Sequence, residues 1–379
     1  MMTVAIETAT TRREAPQRDS RFIVTIGRRK EAGPPQTSAF AQLSRTVKAE
    51  GLLTRRRGFY LTLLGGLTVV LAAAVAAIVV LGDSWLQLVV AAALGIIFTQ
   101  FAFLAHEAAH RQIFTSGKAN DRLGLIIGDL VIGLSYGWWM TKHSRHHANP
   151  NTVGKDPDIE KDTISFLEED AVESRGLVRA ITRHQGYFFF PLLLLEGFNL
   201  HKHGAVAVFG RAPFKKRGLE ITLMLTHFAL YLGLVFTFMP PLIACAFVVV
   251  QMAVFGLYMG STFAPNHKGM PLIAAGSNVD FLSRQILTSR NVSGSRAIDA
   301  LMGGLNLQVE HHLFPSMPRP ALRRAREIVR AHCAENGIAY TEATLFESYG
   351  IVIRYLNRVG LAASDPFDCP LVSAYRRRD

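Results

Sequence analysis

The chain has 379 residues, 49% of them hydrophobic and 18% charged, with a formal net charge of +12 and a mean hydropathy of +0.21. That balance points to the membrane class rather than to a disordered or secreted chain, and three cysteines without a CxxC pair exclude a disulfide framework, a zinc ribbon and a rubredoxin-like site. No nucleic-acid-binding module accompanies the positive charge, which lies beside apolar stretches and so suits anionic lipid headgroups rather than nucleic acid.

Residues 1–57 form a basic polar segment, with twelve Lys and Arg against five acids and Arg55-Arg56-Arg57 at its end. Its first forty residues are expected to be poorly ordered, and 41–57 to lie on a membrane surface. No signal peptide is expected, because the first apolar run begins only after this basic stretch. From Gly58 to Ala105 the one charged residue is Asp83, which divides the block into two long apolar stretches. Ile221 to Asn266 contains no Lys, Arg, Asp or Glu, and Pro240-Pro241 divides it. About twenty apolar residues cross a bilayer as a helix. Each block therefore predicts a helical hairpin, with spans near 58–82, 84–105, 219–239 and 241–263.

Between the hairpins, Leu123 to Met140 carries Asp129 and ends in Trp138-Trp139, which predicts an interfacial or re-entrant helix rather than a fifth span. Tyr187 to Leu195 is too short to span and also reads as interfacial. Ala321 to Glu335 predicts an amphipathic helix between Pro320 and Gly337. The expected fold class is an all-α integral membrane protein with four transmembrane helices in two hairpins, interfacial helices and a cytoplasmic cap. One domain covers 58–345, and 346–379 is a cytoplasmic tail. Lys and Arg flank the hairpin bases and are missing from their tips, so both termini and the cap are placed in the cytoplasm.

Eight of the thirteen histidines fall where apolar spans give way to polar chain. They are His106 and His110; His143, His146 and His147; His311 and His312; and His267 just after the last span. Residues four apart on a helix share a face, so each cluster can present imidazoles to a metal. Eight exceed what one four-coordinate ion uses, and two metal ions are the simplest answer. Imidazole suits Fe, Zn, Cu and Ni alike. Glu107, Glu310, Asp156 and Asp158 adjoin the clusters and can orient imidazoles, or serve as surface charges and turn formers. His227 is expected to bond a neighbouring helix within its span, His201 and His203 to lie near the interface, and His184 and His332 to lie on the surface. One competing reading takes His106-Glu107-Ala108-Ala109-His110 as an HExxH zinc-protease signature with Glu107 as general base. Another is a metal transporter.

HxxxH at 106–110, HxxHH at 143–147 and QxxHH at 308–312, with flanks Ala148-Asn149-Pro150-Asn151, Asp156-Pro157-Asp158 and Leu313-Phe314-Pro315, resemble the three histidine boxes of the membrane fatty acid desaturase family, including bacterial acyl-lipid and acyl-CoA desaturases. The resemblance implies a non-haem diiron centre that uses O2 and two electrons to desaturate an acyl chain. It implies His106, His110, His143, His146, His147, His311 and His312 as iron ligands and His267 as a further one. Gln308 replaces a histidine, which leaves its role open. The glutamine form is similar to front-end desaturases, but their fused cytochrome b5 motif HPGG is missing. The implied partners are a ferredoxin- or cytochrome b5-like donor with an NAD(P)H reductase, an acyl-CoA or phospholipid acyl chain, and the lipids of a bacterial cell membrane. Arg323, Arg324 and Arg326 offer a basic dock for an acidic donor. A lipid or carotenoid hydroxylase of the same diiron class shares the pattern.

Overall fold

The computed structural model describes residues 23–24 and 36–364. Most of the N-terminal segment, the end of the C-terminal tail and Cys369 lie outside the described residues. Helix α1 (Gln36–Ala49) leads to two long apolar helices, α2 (Arg57–Leu81) and α3 (Gln87–Ala109). Helix α4 (Gly117–Leu125) continues as a π-helical segment, Ile126–Ile132, and α5 (Tyr136–Ala148) follows. Four shorter helices, α6 (Glu168–Val172), α7 (Gly176–Thr182), α8 (Gln185–Leu193) and α9 (Glu196–Phe209), precede the long α10 (Arg217–Phe238) and α11 (Pro241–His267). Beyond them come α12 (Phe281–Leu287), α13 (Arg296–Leu301), α14 (Gln308–Leu313), α15 (Leu322–Glu335) and α16 (Leu345–Leu361). The expected all-helical chain is interrupted by two short parallel strand pairs, β1 (Ile23–Val24) with β2 (Leu272–Ile273) and β3 (Asn291–Ser293) with β4 (Glu342–Thr344).

Helices α2, α3, α10 and α11 are long and apolar enough to cross a membrane. Their outer faces expose Val69, Val80, Val89, Leu230 and Leu242, a surface suited to lipid rather than water. The chain turns back between α2 and α3, where the Gln87 amide donates to the Ile78 and Gly82 carbonyls at the end of α2. The tips of the two helix pairs meet: a Cβ on Gly82 would lie 3.9 Å from the Phe238 carbonyl oxygen. Helices α3 and α11 approach closely at Gly95, where a Cβ would lie 2.8 Å from the Gln251 carbonyl oxygen. A small residue there lets the backbones touch, the usual device where no water drives helices together.

Some boundaries differ from expectation. Helix α3 begins at Gln87 and runs through Ala109, and α11 runs through His267, so His267 sits inside a helix rather than just after the last span, while His106 lies on a helix as expected. Burial of these side chains explains the extension: each helix continues because its last turn is covered by protein. The segment expected as interfacial or re-entrant is a broken helix, with α4 and its π-helical extension bent by 119° from α5. Gly133, at φ +82°, ends the first arm, and Ser135 caps the second by accepting from the Trp138 N–H. The Asp129 and Glu220 carboxylates accept from the Tyr136 and Gly137 N–H groups, so the free N–H groups at the start of α5 are satisfied by acidic side chains.

The polar end is built around a second apolar core. Leu43 and Val47 of α1, Leu282 and Ile286 of α12, Leu313 of α14 and Val329 of α15 are buried together. The segment expected to lie on the membrane therefore packs part of itself against the chain's own third histidine box. Helix α16 packs on α8 and α11, burying Val352 and Leu356 beside Phe189 and Ala264.

Candidate metal centre

Four helices bring the histidines together. The end of α3 supplies His106, with His110 just beyond it; α5 supplies His143, His146 and His147; the end of α11 supplies His267; and short α14 supplies His311 and His312. They fall into two groups, His106, His110, His143, His147 and His311 in one and His146, His267 and His312 in the other. Within each group one ring nitrogen per residue lies within 4.8 Å of all the others.

In the first group those nitrogens face one another. His143 Nε2 lies 3.0 Å from His106 Nε2 and 2.8 Å from His110 Nε2, and His311 Nε2 lies 3.2 Å from His147 Nε2. In the second group His146 Nε2 and His267 Nε2 are 3.3 Å apart. A neutral imidazole carries one proton, and in the second group the outer nitrogens take it, so hydrogen bonding among the inner nitrogens cannot satisfy that group. Ligands at about 2.1 Å from one ion, at right angles, sit about 3.0 Å apart, which matches these separations. His312 Nε2 is buried with no hydrogen-bond partner. The residues therefore fit two histidine-bound metal ions.

The second group's outer nitrogens show how each imidazole is aimed. His146 Nδ1 bonds Asp156 at 3.0 Å, His267 Nδ1 donates to the Thr288 carbonyl at 2.9 Å, and His312 Nδ1 donates to Gln285 Oε1 at 2.9 Å. The Gln285 amide is itself oriented by donating to the His147 carbonyl. Each outer bond fixes the tautomer and leaves Nε2 as an inward lone pair. For His311 and His312 burial is the main force holding the imidazole well below its usual pKa, and nearby histidines add to it. Burial thus favours the neutral form of both rings, the form that binds metal.

The carboxylates divide differently from the sequence expectation. Asp156 is an orienting group, fixed in turn by the Asn151 and Asp158 N–H groups at 2.7 and 2.9 Å. Asp158 touches His146 Nδ1 at 3.3 Å and pairs with Lys142 at 2.8 Å. Burial alone would raise its carboxyl, but Lys142, His146 and Lys268 together hold it below the usual range. Glu107 and Glu310 bond no histidine. Glu107 is clamped by Arg319 through two bonds of 2.6 and 2.7 Å, with the Tyr60 hydroxyl at 3.4 Å. A carboxylate so held cannot act as the general base of an HExxH protease. Glu310 accepts from Asn291 and Tyr340, both at 2.7 Å, and burial pushes its carboxyl up to about 7.

The remaining histidines lie apart from the centre. His227 donates to the Leu130 carbonyl of the π-helical segment, and His201 lies between the Gly197 and Ile132 carbonyls at 2.7 and 3.2 Å. His201 is therefore tied to backbone, not free for a headgroup. His203 faces Trp138, and His184 is exposed. His332, expected on the surface, is buried beside Asn336 because its face of α15 meets the polar-end core. Arg323, Arg324 and Arg326 are not a free basic patch: they pair with Asp299, with Glu50 and Glu327, and with Glu342.

An apolar cavity opens beside the first group, lined by Ala102, Ala105, His106, Trp139, Met259 and Phe263 among others. The Trp139 ring stacks on His143 with centroids 4.4 Å apart. Hydrocarbon held in this cavity would touch the histidine cluster.

The sequence profile described as Fatty acid desaturase matches residues 83–344. The chain is 29% identical over 358 residues to an Acyl-lipid (9-3)-desaturase of Physcomitrium patens, covering 91% of this chain and 67% of that one. It is 30% identical over 280 residues to a Delta(6)-fatty-acid desaturase of Caenorhabditis elegans, covering 70% and 63%. With a Delta(8)-fatty-acid desaturase of Helianthus annuus it shares 25% over 319 residues, covering 79% and 68%. The chain thus spans about two thirds of the length of these relatives.

Proposed function

The chain belongs to the fatty acid desaturase family, and from that premise we propose that it removes two hydrogens from neighbouring carbons of a fatty acyl chain, leaving a double bond. The overall balance is one O2, two electrons and two protons consumed with the two substrate hydrogens, and two waters formed. The observation that carries the reading is the convergence of eight histidine nitrogens in two groups at the ends of apolar helices, beside an apolar cavity. His106, His110, His143, His147 and His311 would hold one iron, and His146, His267 and His312 the other. Two irons bound there would supply the activation of O2 that hydrocarbon oxidation needs.

The chain's own residues do the rest. Asp156, Thr288 and Gln285 fix the tautomers of the second group. Ala102, Ala105, Met259 and Phe263 give the cavity an apolar wall beside His106, which suits a hydrocarbon substrate. That geometry favours placing a target methylene near contact with the histidine cluster, where reaction depends on distance. The acyl chain arrives as acyl-CoA or within a phospholipid, and the electrons come from a ferredoxin- or cytochrome b5-like donor fed by NAD(P)H. Four spans in two hairpins, with the histidine-bearing end and both termini cytoplasmic, follow from the basic residues beside the helix bases. The relatives named above are eukaryotic, so a bacterial membrane draws no support from them and forms no part of the proposal.

Metal analysis tests the reading. The detergent-purified chain should carry close to two irons, and His146→Ala should lose iron and activity together. Stoichiometric zinc in the unaltered protein, or full activity in that variant, would overturn it.

A further inference from the structure

The residue that departs from an all-histidine centre, Gln308, is buried against the second group, and its amide orientation follows from fixed neighbours. The Thr262 carbonyl can only accept, and the Asn266 side-chain nitrogen donates to it at 3.1 Å. The same Asn266 nitrogen lies 3.3 Å from Gln308 Oε1, so that oxygen is the acceptor of a second bond. The Gln308 NH2 group is then left facing His267 Nε2, at 2.9 Å. His267 Nδ1 is committed as a donor to the Thr288 carbonyl, so its Nε2 carries a lone pair. Each step rests on a backbone carbonyl, which cannot exchange donor for acceptor, and this removes the usual ambiguity of an amide.

The two groups also differ in number. The first gathers five imidazoles and the second three. Three protein nitrogens leave a metal with open positions, the arrangement of catalytic rather than closed sites. Once a metal takes the His267 lone pair, the Gln308 NH2 loses its acceptor. It stays pinned at the rim of that group by Asn266.

We propose that Gln308 is not a metal ligand through its oxygen but a hydrogen-bond donor to an anionic or oxygen ligand at the open position of the second metal site. This rests on the two-metal reading above and assigns the role of one residue within it. An amide donor there would favour a ligand that gains negative charge, as preorganised donors do in other sites.

The probe is azide, an anion able to occupy an open metal position. The full-length chain, loaded with iron in detergent and oxidised, is titrated with azide by absorbance, and metal per chain is counted in the same samples. Gln308→Met keeps the side-chain length and removes the donor. It should retain two metals per chain and bind azide at least about tenfold more weakly, the effect of losing one hydrogen bond to a charged acceptor. Asn266→Asp is a second variant that leaves Gln308 in place. A carboxylate at 266 would turn the Gln308 amide round, and azide should again weaken without loss of metal. Loss of one metal from Gln308→Met would make Gln308 a ligand and overturn the proposal, and unchanged azide affinity in that variant would overturn it as well. A wild-type protein that holds no metal would instead overturn the underlying reading, and the proposal with it.

Discussion

Arg319→Met should destabilise the fold more than any exposed charge substitution, because it strands a buried carboxylate. Glu107 lies in α3 one residue after His106, and its carboxylate is 3% exposed while the Arg319 side chain is 9% exposed. The pair is bidentate, and the Arg319 N–H donates to the Tyr60 hydroxyl, which donates to Gln112 Oε1 at 2.8 Å. Gln112 then donates to the Pro315 carbonyl beyond the third box. Removing one partner of such a buried pair costs about 3–5 kcal/mol, whereas replacing both by apolar groups is often close to neutral. For a chain of this size about 2 °C of melting temperature accompanies each kcal/mol, so Arg319→Met should melt about 6–10 °C lower. The assay is thermal unfolding in detergent of Arg319→Met, Glu107→Leu and the double variant, with iron content read in parallel. The double variant should recover most of the loss of Arg319→Met. A fall of less than about 2 °C in Arg319→Met, or a double variant as unstable as the sum of the two, would refute the account of this pair.

Asp156→Ala removes the carboxylate that orients His146 and should weaken iron binding about 10–100-fold, the usual effect of deleting a partner behind a ligand; iron retained against a graded chelator measures it, and unchanged retention contradicts the role. Tyr349→Phe should loosen the end of α11, because the Tyr349 hydroxyl donates at 3.1 Å to the Ser261 carbonyl, whose helical partner is missing at Pro265. Faster amide exchange confined to the last turns of α11 is the expected result, and an unchanged pattern would refute it. Arg324→Ala should leave the donor-supported rate unaltered, since Arg324 is already paired with Glu50 and Glu327; a marked fall in donor affinity would make those arginines the dock after all. NADPH alone, without a redox protein, should support no turnover.

The parts legible in the sequence were those that depend on local pattern. Uncharged blocks broken by Asp83 and Pro240-Pro241 located four apolar helices, and four-residue spacing put histidines on shared faces. Long-range pairing was not legible. Arg319 lies 212 residues from Glu107 and Gln285 27 from His312, and neither carries a local signal that names its partner. His267, alone in the sequence, is joined to His146 across 121 residues because α11 and α5 end side by side. Glu107 and Glu310 adjoin histidines and could be read as orienting carboxylates or as surface charges, and they are neither, because neighbours on a helix point to different sides. Each therefore turns away to Arg319 or to Asn291 and Tyr340. The arginines of α15 read as a basic stripe because their acids lie outside the helix or within one turn of it.

The most direct test of the central claim is the fatty acid profile of a cell with simple lipids that expresses this chain with a working electron donor. Gas chromatography with mass spectrometry of derivatised fatty acids should reveal a new double bond, at one position, which vanishes in His110→Ala, His147→Ala and His312→Ala. A hydroxylated product from the intact protein, or an unchanged profile while the donor is demonstrably active, would contradict the account.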